Sequence, residues 1–181
     1  MDAMEILDRL DEVRVRLLEA LASLPDEALL QPNAVGEWSL ADVLAHFVNW
    51  EAELVTGFNQ IDQGRKPVRL LDALADRDAY NASRYAEMKG RELDRIFDDL
   101  QGVRVQIEDW LETFSDKDLQ DPGRVPGAKG MPLWRLIAAA SFEHEEQHLE
   151  AIETFAGNWL EREQRTIGLD DIEVSSNGNG N

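Results

Sequence analysis

Residues 39–50 have the sequence SLADVLAHFVNW, which predicts the start of a long amphipathic helix. Ser39 and Asp42 resemble a capping box, in which two side chains satisfy the free backbone N–H groups of the first helical turn. The apolar residues that follow repeat at the spacing of one helical face. They are Leu40, Val43, Leu44, Phe47, Trp50, Leu54, Phe58 and Ile61. His46 lies on this helix, and we expect it to face the core.

Helical periodicity extends through most of the chain. It predicts long helices over residues 2–23, 39–63, 76–114 and 132–160, with local weakening of the third at Gly90 and Gly102. The break at residues 64–76, between the second and third helices, is long enough for a crossover connection. Four amphipathic helices favour an all-α four-helix bundle, a fold that builds metal sites from facing helices. We expect this domain to span residues 1–172, followed by a disordered tail over residues 173–181.

Composition excludes several classes of protein. The chain has no cysteine, which rules out disulfides, thiolate metal sites and cysteine nucleophiles. Its net charge of -19 opposes binding to nucleic acid or to an anionic membrane surface. The acidic N-terminus does not have the pattern of a signal peptide, and the apolar run at residues 136–142 is too short to span a bilayer. We therefore expect a cytoplasmic protein.

The chain contains three histidines, and their positions suggest a metal site. His144 and His148 are four residues apart on the apolar stripe of the fourth helix, so their rings project in the same direction. Burying two adjacent imidazoles is costly unless each is hydrogen-bonded or bound to metal. His46, on another core-facing stripe, could supply a third nitrogen. The alternative is a set of core histidines that bond to carbonyl or hydroxyl groups.

Residues 144–148, HEEQH, also fit the His-Glu-x-x-His pattern of zinc proteases. In that interpretation Glu145 would be the general base. A third-ligand motif is missing downstream, and convincing strands for peptide binding are missing too, so we keep this only as a minor alternative. Glu53 shares a face with His46 and is a candidate fourth ligand or base, and Trp38 and Trp50 are candidate pocket walls. No catalytic residue is assigned from the sequence.

The segment Gly36-Glu37-Trp38-Ser39-Leu40-Ala41-Asp42-Val43-Leu44-Ala45-His46, followed by Trp50-Glu51 and the distant His144/His148 pair, resembles the DinB/YfiT-like superfamily. Gly64, Pro67, Asp78 and Asn81 are further similar to its ClbS/DfsB-like branch. The resemblance runs from the first helix to about Phe155. It implies an up-down-down-up four-helix bundle with a long crossover between helices 2 and 3.

The resemblance also implies a function. It indicates that His46, His144 and His148 bind a divalent metal, nickel or zinc, and that the protein is a homodimer. Relatives include thiol-dependent transferases and isomerases, so one expectation is a metal-dependent enzyme. It would act on a small molecule by hydrolysis or by transfer involving a low-molecular-weight thiol. The other is a non-catalytic ligand-binding or self-protection bundle, as in branch members that lack the triad, with a structural metal or none.

Overall fold

Local capping signals define where the first two long helices begin. In the computed structural model, which describes residues 1–176 and the side chains of residues 1–166, Asp2 and Ser39 each form a complete capping box. The predicted boundaries of the first two helices are confirmed to within about two residues. The helices are α1 Ala3–Leu21, α2 Asp26–Leu30, α3 Leu40–Asp62, α4 Val68–Ala75, α5 Arg77–Met88, α6 Leu93–Thr113, α7 Asp116–Gln120, α8 Leu133–Ala140 and α9 Phe142–Ser176.

Two of the predicted helices are divided in the structure. The segment over residues 76–114 consists of α5 and α6, separated at Gly90, whose φ of 79° is a conformation that glycine adopts without strain. Gly102 lies inside α6 and does not interrupt it. The segment over residues 132–160 consists of α8 and α9, because Ser141 leaves the helical region with φ -131° and ψ -105°. Its hydroxyl donates to the Ile137 carbonyl at 2.7 Å.

The connection over residues 64–76 is also partly helical, since it contains α4. At the other end of the chain, α9 continues through Ser176, so the helix reaches into the segment that we expected to be disordered. Residues 177–181 of that segment lie outside the described residues.

The core lies between two pairs of long helices. The most extensive contacts join α3 to α6 and α1 to α9, and the short helices α4, α5 and α8 pack around α3 and α9. α3 is the most buried of the long helices, and Trp50, Leu54, Phe58 and Ile61 are fully buried along it. The fold is therefore all-α, as predicted, and the described residues form no strand. The up-down-down-up order remains a prediction.

Candidate metal centre

The fold brings the three histidines together. His46 is on α3, whereas His144 and His148 are on the first two turns of α9. The ligand atoms of all three rings lie within 4.8 Å of one another, and the Nε2 atoms of His46 and His144 are 3.0 Å apart. Among the described residues, no other group of histidine and carboxylate side chains is arranged to hold a metal ion.

Local structure sets the positions of these rings. The Ser39–Asp42 capping box fixes where α3 begins, and His46 follows two turns later. On the other side, the backbone N–H groups of His144 and Glu145 each donate to the Ser141 carbonyl at 2.9 Å. The break at Ser141 therefore starts α9 just before His144. Within α9, the four-residue spacing leaves the ring centroids of His144 and His148 5.3 Å apart.

Burial keeps the imidazoles neutral. His46 is 2% exposed and His144 is 4% exposed. Burial, aided by the neighbouring histidines and by Arg77, lowers the pKa of His46 to about 3 and that of His144 to about 2. Burial also lowers the pKa of His148, which is less enclosed. A neutral imidazole carries the lone pair that a metal ion requires.

Aromatic side chains surround the cluster. Trp38 lies edge-on to His46, with ring centroids 4.9 Å apart, and Trp50 is 5.1 Å from His144. Phe47 is 5.4 Å from His148. Both tryptophans that we expected to form walls thus lie against the histidine rings. Together with the burial of His46 and His144, such walls restrict the access of water to the rings.

The donor set fits a divalent metal ion. Nitrogens bound to one zinc ion lie at most about 4 Å apart, since each bond is about 2.0–2.1 Å. The cluster spans up to 4.8 Å, so a small ring movement would bring all three nitrogens onto one ion. Two neutral imidazoles whose Nε2 atoms face each other at 3.0 Å either share one proton or share a cation. The chain thus contains a site that can bind a metal ion.

The glutamate of the His-Glu-x-x-His pattern has a different role. Glu145 is 1% exposed and accepts a hydrogen bond from Nη2 of Arg14, with Nη2 of Arg104 at 3.7 Å. Arg14 and Arg104 also bind Glu51, at 3.1 Å and 3.3 Å. These four residues, which we call the ionic cluster, come one each from α1, α3, α6 and α9. The protease interpretation therefore loses its general base.

The ionic cluster places two acidic and two basic side chains inside the bundle. Burial raises the pKa of Glu51 to about 7, against the opposing influence of Arg14 and Arg104. Burial also opposes the charge of Arg14, but Glu51 and Glu145 outweigh it and raise its pKa above the ordinary range. The sequence analysis did not identify this cluster. Its one signal was the placement of Arg14 among the apolar residues of α1, at the spacing of the buried face.

Glu53, the candidate fourth ligand, pairs with cations of the α4–α5 region. Its carboxylate is 2.9 Å from Arg69 and 3.8 Å from Arg84. It does not belong to the histidine cluster. Burial raises its pKa, and the charge of Arg84 opposes that shift. The two arginines account for this buried carboxylate without a metal.

Comparison with known families identifies the wider group. The family model described as the DinB superfamily matches residues 9–152 of the chain. The chain belongs to the DinB superfamily. The matched region includes α3 and the first part of α9. All three histidines of this DinB-superfamily chain therefore lie within the region that matches the family.

A solved structure supports the same fold. The crystal structure of an uncharacterised protein from Escherichia coli UTI89 has a TM-score of 0.72 with 17% sequence identity, covering 87% of this chain and 94% of that one. At this identity the similarity concerns the fold alone. No curated protein matches the chain. Within the described residues of this DinB-superfamily member, no helix is both long and apolar enough to cross a membrane.

Proposed function

We propose that this DinB-superfamily protein is a metal-dependent enzyme that acts on a small molecule. His46, His144 and His148 would hold one divalent ion, nickel or zinc. The single observation that carries the proposal is the convergence of three imidazoles, two of them buried, with Nε2 of His46 and His144 3.0 Å apart. Three protein ligands would leave at least one position for a substrate, which is the arrangement of catalytic sites.

The reaction class we propose is hydrolysis or thiol-dependent transfer. A bound divalent ion lowers the pKa of a water or a thiol that it coordinates. The protein contributes three neutral nitrogens, and aromatic walls that exclude bulk water and strengthen electrostatic interactions. Glu51, Glu145 and Glu53 are each held by arginines, so the described geometry favours no carboxylate base at the cluster.

We further propose a small-molecule partner, with a low-molecular-weight thiol as cosubstrate, and a cytoplasmic homodimer. The net charge of -19 argues against nucleic acid as a partner. The absence of cysteine fits a compartment where thiols stay reduced.

Metal analysis of untagged protein tests the proposal. We expect about one zinc or nickel ion for each chain after reloading, and loss of that ion in His148→Ala. Gln147→Ala is the matched control, since Gln147 precedes His148 on α9 and belongs to no metal cluster. Absence of stoichiometric metal in the reloaded wild-type protein would overturn the proposal.

Turnover distinguishes the enzyme from a non-catalytic bundle. Wild type and His148→Ala would be assayed with a panel of esters and with thiols plus electrophilic acceptors. Lost turnover in a folded His148→Ala protein supports catalysis. Bound metal in the wild type, with no turnover across the panel and only a stability loss in the variant, favours the non-catalytic ligand-binding protein instead.

A further inference from the structure

A positively charged side chain lies beside the histidine cluster. Arg77 is the first residue of α5, and its guanidinium carbon is 5.3 Å from the centroid of the Trp50 ring. The same Trp50 ring is 5.1 Å from that of His144. Nη2 of Arg77 donates to the Ala139 carbonyl, which belongs to α8, at 2.9 Å. Arg77 therefore joins α5 to α8, and its guanidinium and the His144 ring both lie against Trp50.

Arg77 has no carboxylate partner in the described part of the chain. Most arginines there pair with an acidic side chain within 4.0 Å, as expected for a protein with 37 acidic and 18 basic residues. Arg65 and Arg162 are likewise without such a partner, but both are exposed to water. Arg77 is the partly buried one of the three. A partly buried charge without a counterion is costly, so an anion is expected near it.

Electrostatics supports an exogenous anion. A divalent ion at the three nitrogens would add positive charge next to the Arg77 guanidinium. An anionic group between the two would relieve the repulsion and would interact favourably with both.

Arg77 is also held in position for recognition. Trp50, on whose ring the guanidinium lies, donates from Nε1 to Oδ1 of Asn81 at 3.0 Å and packs against Tyr80 with centroids 4.8 Å apart. A guanidinium has five N–H donors, and the described residues accept from one nitrogen of Arg77. The planar arrangement of the remaining donors matches the two oxygens of a carboxylate.

We propose that Arg77 binds a carboxylate, or a chemically similar oxyanion, of the small molecule that occupies the histidine site, and so selects anionic substrates. This inference rests on the proposed function, since it needs a ligand at the metal centre. It names the substrate class and assigns Arg77 as a specificity-determining residue.

Calorimetric titration with a matched pair of probes tests the inference. The full-length protein would be loaded with whichever of zinc or nickel it retains. The probes are 3-mercaptopropionate and its neutral amide, 3-mercaptopropionamide, whose thiol groups can ligate the metal. We expect wild type to bind the carboxylate about tenfold or more tightly than the amide, the range for a hydrogen bond to a charged group.

The variants locate the source of that preference. In Arg77→Gln only the charge of the metal would still favour the carboxylate over the amide. The ratio of the two affinities should therefore be at least about fivefold smaller than in wild type. In Arg77→Lys, which keeps the charge without the planar donors, it should be intermediate. Arg84→Gln is the control, because it removes one positive charge from the same helix at a residue that pairs with Glu53 and Glu87. It should keep the wild-type preference.

Two results would overturn the inference while leaving the metal site intact. One is equal affinity of metal-loaded wild type for the two probes. The other is an unchanged preference in folded Arg77→Gln, or in Arg77→Lys if the glutamine variant does not fold. Metal content measured on the same samples separates these results from failure of the proposed function, in which the wild type would hold no stoichiometric metal.

Discussion

Glu145 accepts a hydrogen bond from Arg14 in the interior of the bundle, although it directly follows His144 of the imidazole cluster. Successive residues of a helix point about 100° apart, so one turn of α9 serves two separate sites. The His144 ring faces His46, and the Glu145 carboxylate faces the ionic cluster. The register of α9 that brings the histidines together is therefore tied to a buried ion pair with α1.

Removal of one carboxylate from the ionic cluster should destabilise the protein strongly. We expect Glu145→Gln to lower the free energy of unfolding by about 3–5 kcal/mol, because it leaves Arg14 and Arg104 with too little negative charge in a buried position. Urea denaturation measures this effect. If Glu145 were instead a catalytic base, the substitution would abolish turnover and leave stability nearly unchanged.

A matched ion pair provides the control for this experiment. Arg16 and Glu153 also join α1 to α9, at 2.9 Å, but their side chains are 44% and 41% exposed. We expect Glu153→Gln to cost less than about 1 kcal/mol. Equal losses in the two variants would show that burial of the ionic cluster is not the source of its contribution.

The metal-free protein should lose stability as the pH falls below about 6.5. The pKa of His46 is lowered to about 3 and that of His144 to about 2, so both stay neutral in the folded protein while the unfolded chain takes up protons. The contribution of the neutral histidines to stability is complete above pH 6.5. It decreases steadily as the pH falls from there to the pKa values of the folded state. Between pH 7 and pH 5 we expect a loss of about 2 kcal/mol for each of these two histidines.

Urea denaturation of chelator-treated protein at several pH values measures this loss. His144→Gln, which cannot gain a proton, should have a smaller pH dependence over the same interval. Saturating metal should stabilise the wild type most at neutral pH, because the metal binds the folded state and competes with protons. An identical pH dependence in wild type and His144→Gln would contradict the burial argument.

Two helical glycines should respond oppositely to alanine. A Cβ atom on Gly102 of α6 would meet no atom within 4 Å, so Gly102→Ala should raise the free energy of unfolding by about 0.5–1 kcal/mol through helix propensity. A Cβ atom on Gly57 of α3 would lie 2.7 Å from Cδ2 of Leu70, which is 1% exposed. Gly57→Ala should therefore destabilise the contact of α3 with α4.

The same denaturation experiment compares the two glycine variants, and each serves as the control for the other. A stabilised Gly57→Ala protein would show that Leu70 can move aside, and that α4 packs more loosely on α3 than the structure indicates.

The sequence by itself was sufficient for the all-α fold, the start of α3 and the three histidines as candidate ligands. The capping box at Ser39 and the stripe that contains His144 and His148 involve residues within one or two helical turns, so short-range rules describe them. Ser141 was different. The sequence predicted one continuous helix through this residue. Its hydroxyl bonds to the Ile137 carbonyl and competes with helical geometry, which residue spacing does not reveal.

Only the tertiary structure decided which charged residues meet. Glu51, Glu53 and Glu145 are three of 37 acidic residues. Nothing in the sequence around them shows that they pair with arginines of other helices. Arg77 was not singled out at all, since its position beside Trp50 depends on how α5 packs over α3. A shift of one residue in the register of a helix turns a side chain by about 100°. Long-range packing of the helices therefore determines the ionic cluster and the cation beside the histidines.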